Sequence, residues 1–231
     1  MGEMMIAVDK DDNILKPVDR FEAHTGEGIL HRGLMITIKN YKNQICLAQR
    51  SAERPDLPTY FPPPFPLQWD GSIAGHPKYR EEGMEEKENK KRYISRALKE
   101  LREELNLQVE KEQLEWLNKF LYSAPDPAYQ DPKYAKYDIR IKEFEVCAVF
   151  LMYTKEEPMP NPVEIAKVEW VDSDRVRREV DEYIRSNITI KGDEIIVRKF
   201  KPESRMYSPW FIKAQELCPE IYEFNPPKAR I

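Results

Sequence analysis

Three glutamates at spacing i, i+3 and i+4 make ALKELREELNL (residues 97–107) the most chemically loaded segment of this 231-residue sequence. At about 100° per residue, Glu100, Glu103 and Glu104 fall on one side of a helix beside an apolar stripe. Carboxylates held on rigid backbone suit hard divalent cations such as Mg²⁺ or Mn²⁺, which take oxygen ligands and bridge them to phosphate oxygens. Lys99 and Arg102 are interleaved with the glutamates, so an ordinary solvated face is the alternative.

A second set of ligand-type residues is scattered along the chain. Its three histidines, His24, His31 and His76, stand in EAHT, LHRG and AGHP. Neutral imidazole binds borderline metals such as Zn²⁺ and Mn²⁺, and carboxylates complete a mixed site. Glu143 and Glu145, in KEFEVCAVF, alternate along a strand and therefore share one face. Three unrelated core or surface histidines are the alternative.

The acidic helix resembles the signature helix of the Nudix hydrolases, Arg-Glu-apolar-x-Glu-Glu-x-Gly-apolar, with Lys99 for Arg and Asn106 for Gly. The upstream half of that signature is not cleanly present, and a Glu/Lys-rich insertion from Arg80 to Arg92 stands in its place. From about Leu15 to Phe211 the sequence is similar to type I isopentenyl-diphosphate isomerases, a branch of the Nudix superfamily. The matching segments are AHT, LHRGLMITI, LAQRS, GHP, FLYSAPDP, E-x-E-V and SPW. This resemblance implies an α/β (α+β) Nudix fold, a mixed sheet sandwiched between helices. It also implies one domain over residues 1–231 with isomerase-type N- and C-terminal extensions. It implies a metal site of His24, His31, His76, Glu143 and Glu145, and a second metal at Glu104 that bridges a diphosphate. Arg20, Arg50 and Arg54 would meet the phosphates, with Tyr122 and Trp210 lining the apolar end.

Position 74 departs from the isomerases. Their catalytic cysteine aligns with Ala74 in WDGSIAGHP, and a basic residue of their helix aligns with Glu100. Alanine cannot transfer a proton, whereas Glu100 adds a hydrolase-type carboxylate. Trp69 to His76 also resembles the W-D-x-S-x-A-G-H of isomerase-like Nudix proteins that read as hydrolases. The expectation is a metal-dependent hydrolase that cleaves a phosphoanhydride of a nucleotide or prenyl diphosphate, with Glu100, Glu103, Glu104 and Glu145 as catalytic residues. An isomerase that replaces the thiol by Tyr122 or a water is the first alternative, and a non-catalytic diphosphate-binding protein the second.

The elements that must position these residues are legible in part. Ile94, Leu98, Leu101 and Leu105 recur at helical period over Asn89 to Leu105, and Asn106 can end that helix in a left-handed conformation. Met4 to Val8 reads as a strand, Met35–Ile38 and Ile45–Ala48 as a hairpin turning at Asn40–Asn43, and Val146–Tyr153 and Val168–Val171 as buried strands. Ser173–Ile184 and Trp210–Leu217 read as closing helices. LPTYFPPPFP, Leu57 to Pro66, can be neither helix nor central strand, because proline lacks an N–H and fixes φ. It reads as an ordered loop or lid that shapes specificity.

Composition excludes other classes. With 37 Lys+Arg against 41 Asp+Glu, no extended basic surface announces a nucleic acid polymer or a membrane, so an anionic ligand must be met locally. Cys46, Cys147 and Cys218 are widely spaced, which argues against a disulfide framework or zinc knuckle. The start of the chain lacks a signal-peptide pattern, and the expected setting is the reducing cytoplasm. Oligomeric state is not encoded in any pattern found.

Overall fold

A computed structural model describes residues 4–79 and 89–227. In chain order the elements are β1 Met4–Val8, β2 Ile14–Asp19, α1 Arg20–His24, β3 His31–Asn40, β4 Gln44–Arg50, β5 Trp69–Asp70, β6 Ser72–Gly75 and α2 Asn89–Leu105. There follow β7 Glu115–Pro125, α3 Pro132–Ala135, β8 Lys142–Thr154, β9 Ile165–Asp172, α4 Ser173–Asn187, β10 Ile188–Lys191, β11 Glu194–Val197 and α5 Pro209–Leu217. The strands form a mixed sheet. β3 runs parallel to β8, with His31 opposite Glu145, and antiparallel to β6, with Met35 opposite Ala74. β8 also takes β7 antiparallel, and β4 pairs antiparallel with β9.

Side-chain alternation along the central strands sorts the core into two layers. Leu34, Ile36 and Ile38 of β3 and Ala148, Phe150 and Met152 of β8 meet Tyr93, Ala97, Leu101 and Leu105 of α2. Met35, Cys147 and Val149 belong to the other layer, with Val176 and Val180 of α4 and Phe211 and Ile212 of α5. The sheet thus lies between helices, the expected α+β arrangement. Each fully buried leucine of α2 stabilises the fold by roughly 1.5–3 kcal/mol. That apolar stripe fixes the rotation of α2, and with it the direction of the glutamates beside it.

Local signals act as read. The β3–β4 turn closes with the Asn43 N–H donating to the Asn40 carbonyl at 3.3 Å. Asn106 sits at φ +53° past the end of α2, and the Leu107 N–H reaches back to the Leu101 carbonyl at 3.0 Å. β8 and β9 run further than their apolar cores, and β7 and the β10–β11 pair were not anticipated. β7 alternates weakly along its length, whereas ITIK-GD-EIIV carries a two-residue hairpin signal.

Leu57 to Pro66 forms neither helix nor strand. Its end is held by Asp126, whose carboxylate accepts the Phe65 N–H at 2.6 Å and the Ala128 N–H at 2.9 Å. Burial pushes the Asp126 carboxyl up to about 7. Of the Glu/Lys-rich insertion, residues 80–88 lie outside the described residues and 89–92 form the first turn of α2. The three cysteines are free and buried. No described helix is long and apolar enough to cross a membrane.

Candidate active site

The histidines arrive from three separate elements. α1 is a single turn, capped by the Asp19 carboxylate accepting the Phe21 N–H at 2.8 Å, and it carries Arg20 and His24. His31 opens β3, and His76 follows β6. His24, His31, His76 and Glu143 each place a ligand atom within 4.8 Å of the others. Glu145 adjoins them, its Oε1 lying 2.7 Å from His76 Nε2 and 3.6 Å from His31 Nε2. All five expected ligands therefore converge.

Their protonation suits a metal. His24 Nδ1 lies 2.7 Å from the Arg20 carbonyl and His31 Nδ1 lies 2.6 Å from the Ile29 carbonyl. A carbonyl only accepts, so each Nδ1 carries the proton and, in the neutral ring, each Nε2 presents a lone pair. His31 Nε2, His76 Nε2 and Glu143 Oε2 are buried without an aligned hydrogen bond, even where a carboxylate oxygen is close. Burial would raise Glu143, but protonated His24, and with it His76, outweighs burial and holds the carboxyl well below its usual range, so in the metal-free cluster protons occupy the place that a cation would take. Converging ring nitrogens and ionised carboxylates in a buried cluster suit a cation between them, so these residues fit a divalent metal ion.

A cavity of about 200 Å³ opens beside this cluster and is lined by Ala74, Glu143, Glu145, Tyr122, Trp210 and the acidic face of α2. Two glycines make the close packing possible. A Cβ at Gly33 would overlap the Glu145 carboxylate, and one at Gly75 would overlap the Glu100 carboxylate. The Tyr122 hydroxyl donates to Glu145 Oε2 at 2.7 Å, and burial followed by the charge of Glu145 raises that phenol well above its ordinary value. It remains a donor throughout the physiological range.

Glu100 and Glu104 face the cavity and are 3% and 6% exposed, so the solvated-face alternative does not hold for them. Glu103 is different. It stands exposed at the rim, 3.8 Å from Lys99. Glu100 accepts from Arg96 Nε at 2.6 Å. Burial raises the Glu104 carboxyl well above its ordinary value, and Glu100 and Glu164 raise it further.

The expected phosphate-binding arginines share the cavity. Arg50 Nη1 lies 3.2 Å from Asp70 and its guanidinium stands 5.3 Å from the Trp210 ring centroid. Arg54 is gripped by Asp56 at 2.7 Å and by Glu164 at 3.0 Å. Arg20 completes the set. Sequence reasoning missed Lys78, Arg96 and Glu164, which also line the cavity. Arg96 is one helical turn before Glu100 and could have been found by that spacing; Lys78 and Glu164 carry no such signal.

The model of the NUDIX domain matches residues 29–189, most of the chain. The chain is 32% identical over 197 residues to an isopentenyl-diphosphate Delta-isomerase of Haloarcula marismortui, covering 84% of this chain and 89% of that protein. It belongs to the Nudix family, in its isopentenyl-diphosphate isomerase-like branch. A second isomerase of this branch, from Photorhabdus laumondii, is 28% identical, with 80% of this chain and 86% of that protein aligned. A crystal structure of a Deinococcus radiodurans protein shares the fold at a TM-score of 0.51 and 20% identity, covering 78% of this chain and 90% of that one. Arg20 and His24 precede the matched Nudix span and Trp210 follows it, so the cavity draws on flanking segments as well as on the family core.

Proposed function

We propose that the protein is a metal-dependent hydrolase that cleaves a phosphoanhydride in a small nucleotide or prenyl diphosphate. The observation that carries this reading is Ala74, whose methyl group lines the cavity together with Glu145 and Tyr122. In the isomerases that it resembles, this position supplies the thiol. None of the three cysteines lines the cavity.

Charge explains the metal requirement. Among the described lining residues the carboxylates Asp56, Asp70, Glu100, Glu103, Glu104, Glu143, Glu145 and Glu164 outnumber the cations Arg20, Arg50, Arg54, Lys78 and Arg96. A diphosphate entering alone would meet repulsion. His24, His31, His76, Glu143 and Glu145 would hold one divalent ion, Mn²⁺, Mg²⁺ or Zn²⁺, and Glu104 with Glu100 a second, Mg²⁺ or Mn²⁺. Bound cations would polarise the phosphoryl oxygens and lower the pKa of an attacking water. Arg20, Arg50 and Arg54 bind and orient the phosphates. Water oxygen then bonds to phosphorus, the anhydride P–O bond breaks, and the leaving phosphate departs with the bridging oxygen. The water proton passes to a cavity carboxylate.

The second reading, an isopentenyl-diphosphate isomerase, is favoured by the named relatives and by the Tyr122–Glu145 hydrogen bond, which could stand in for a thiol. Incubation with Mg²⁺ or Mn²⁺ and a panel of nucleotide and prenyl diphosphates, reading phosphate release and isomer ratio together, separates the two. Binding without either product would indicate a non-catalytic protein.

A further inference from the structure

Glu164 belongs to no motif, yet it faces the same cavity as Glu100 and Glu104 from the loop before β9. Its backbone is fixed, the Ser51 N–H donating to its carbonyl at 2.9 Å and its own N–H to the Asn161 carbonyl at 3.0 Å. Only its carboxylate is free to choose a partner, and that partner is Arg54 at 3.0 Å. Glu104 lines the same cavity; it is nine-tenths buried, and no hydrogen bond or ion pair joins its carboxylate to another described residue.

We propose that Glu164 is an exchange residue: it stands in for a phosphate on Arg54 in the metal-free protein, and becomes the third carboxylate of the Glu100–Glu104 cation site when a diphosphate takes Arg54 from it. This rests on the cavity binding a metal-diphosphate complex, whether the reaction is hydrolysis or isomerisation. A diphosphate displaces Glu164 because it offers Arg54 a bidentate, more highly charged acceptor. The displaced carboxylate then stands beside two others that repel it, unless a divalent cation joins them. Metal and diphosphate therefore favour each other's binding through one side chain, a coupling that is reciprocal by linkage.

The test is the sign of one substitution under two conditions, read by calorimetry with methylenediphosphonate, a diphosphate that cannot be hydrolysed at its bridge. With EDTA, Glu164→Gln should bind the diphosphonate more tightly than the unsubstituted protein, because Arg54 has lost a competitor. With saturating Mn²⁺ the order should reverse, and titration with Mn²⁺ should show one ion weakened by at least about tenfold while the ion at the histidine cluster is unchanged. Asp56→Asn, which also releases Arg54, should tighten metal-free binding without weakening either ion. The same direction of change under both conditions, unaltered Mn²⁺ affinity in Glu164→Gln, or no diphosphonate binding to the unsubstituted protein in saturating Mn²⁺ would each overturn the proposal. Turnover is not read here, so failure of the hydrolase reading would leave a sign reversal intact.

Discussion

Gly33 lies beneath the carboxylate of Glu145, on the strand that runs parallel to it, and a Cβ at position 33 would occupy the space that the carboxylate fills. The close approach of Glu145 to the histidine cluster depends on that missing side chain. Gly33→Ala should therefore weaken Mn²⁺ binding at the histidine cluster by tenfold or more. Mn²⁺ titration of the folded variant checks this; unchanged affinity would show that Glu145 is dispensable to the cluster.

Glu104→Gln is expected to separate activity from stability. Glu104 is buried and unpaired among the described residues, so its ionised form costs folding free energy that glutamine does not. Metal-free Glu104→Gln should melt at a higher temperature than the unsubstituted protein, while its metal-dependent activity falls by orders of magnitude. This departs from what a surface glutamate would do, which is to change stability little. Lower stability together with retained activity would place Glu104 outside the chemistry.

The anchor of the proline-rich loop sets a pH dependence. Asp126 titrates at about 7 in the folded protein against an ordinary value of 3.8, raised by burial. The native state then binds this proton more tightly than the unfolded chain, so its contribution to stability is full below 3.8 and is lost as pH rises to about 7. Asp126→Asn should remove that slope. Denaturant unfolding at several pH values across the window should show stability falling less steeply in the variant than in the unsubstituted protein; parallel curves would contradict the shift.

How much of this was legible in the sequence depended on whether the signal was local. Leu101 and Leu105 announced both α2 and its buried face, and that set Glu100, Glu103 and Glu104 together beside it; the structure buries Glu100 and Glu104 and leaves Glu103 exposed. Glu143 and Glu145 were paired by strand alternation, and the resemblance joined them to histidines 67 to 121 positions earlier in the chain. Glu164 gave no sign of its place, because a lone glutamate in NPVEI acquires its partners only when the loop before β9 folds against Arg54. Asp126 and Phe65, 61 positions apart, are likewise joined by tertiary structure alone. Burial was the other gap. An E-x-x-E-E helix reads the same whether Glu103 or Glu104 faces solvent, and only the packing of α2 separates the rim residue from the buried one.

Ala74→Cys should restore a trace of isomerisation between isopentenyl and dimethylallyl diphosphate, since proton transfer on both faces of the alkene needs an acid opposite a base. Proton NMR of the two alkenes after prolonged incubation measures it, with the unsubstituted protein as the reference. Equal rates in both proteins would show that position 74 does not determine the reaction.

Whether water attacks phosphorus is the most direct test of the proposed reaction. The protein, loaded with Mn²⁺, is incubated in ¹⁸O-labelled water with nucleoside and prenyl diphosphates, and the products are analysed by mass spectrometry. The expected result is a phosphate or monophosphate product carrying one ¹⁸O, dependent on metal, with no conversion of isopentenyl diphosphate to its isomer. Rapid isomer interconversion by the unsubstituted protein, without ¹⁸O entering any phosphoryl group, would contradict it.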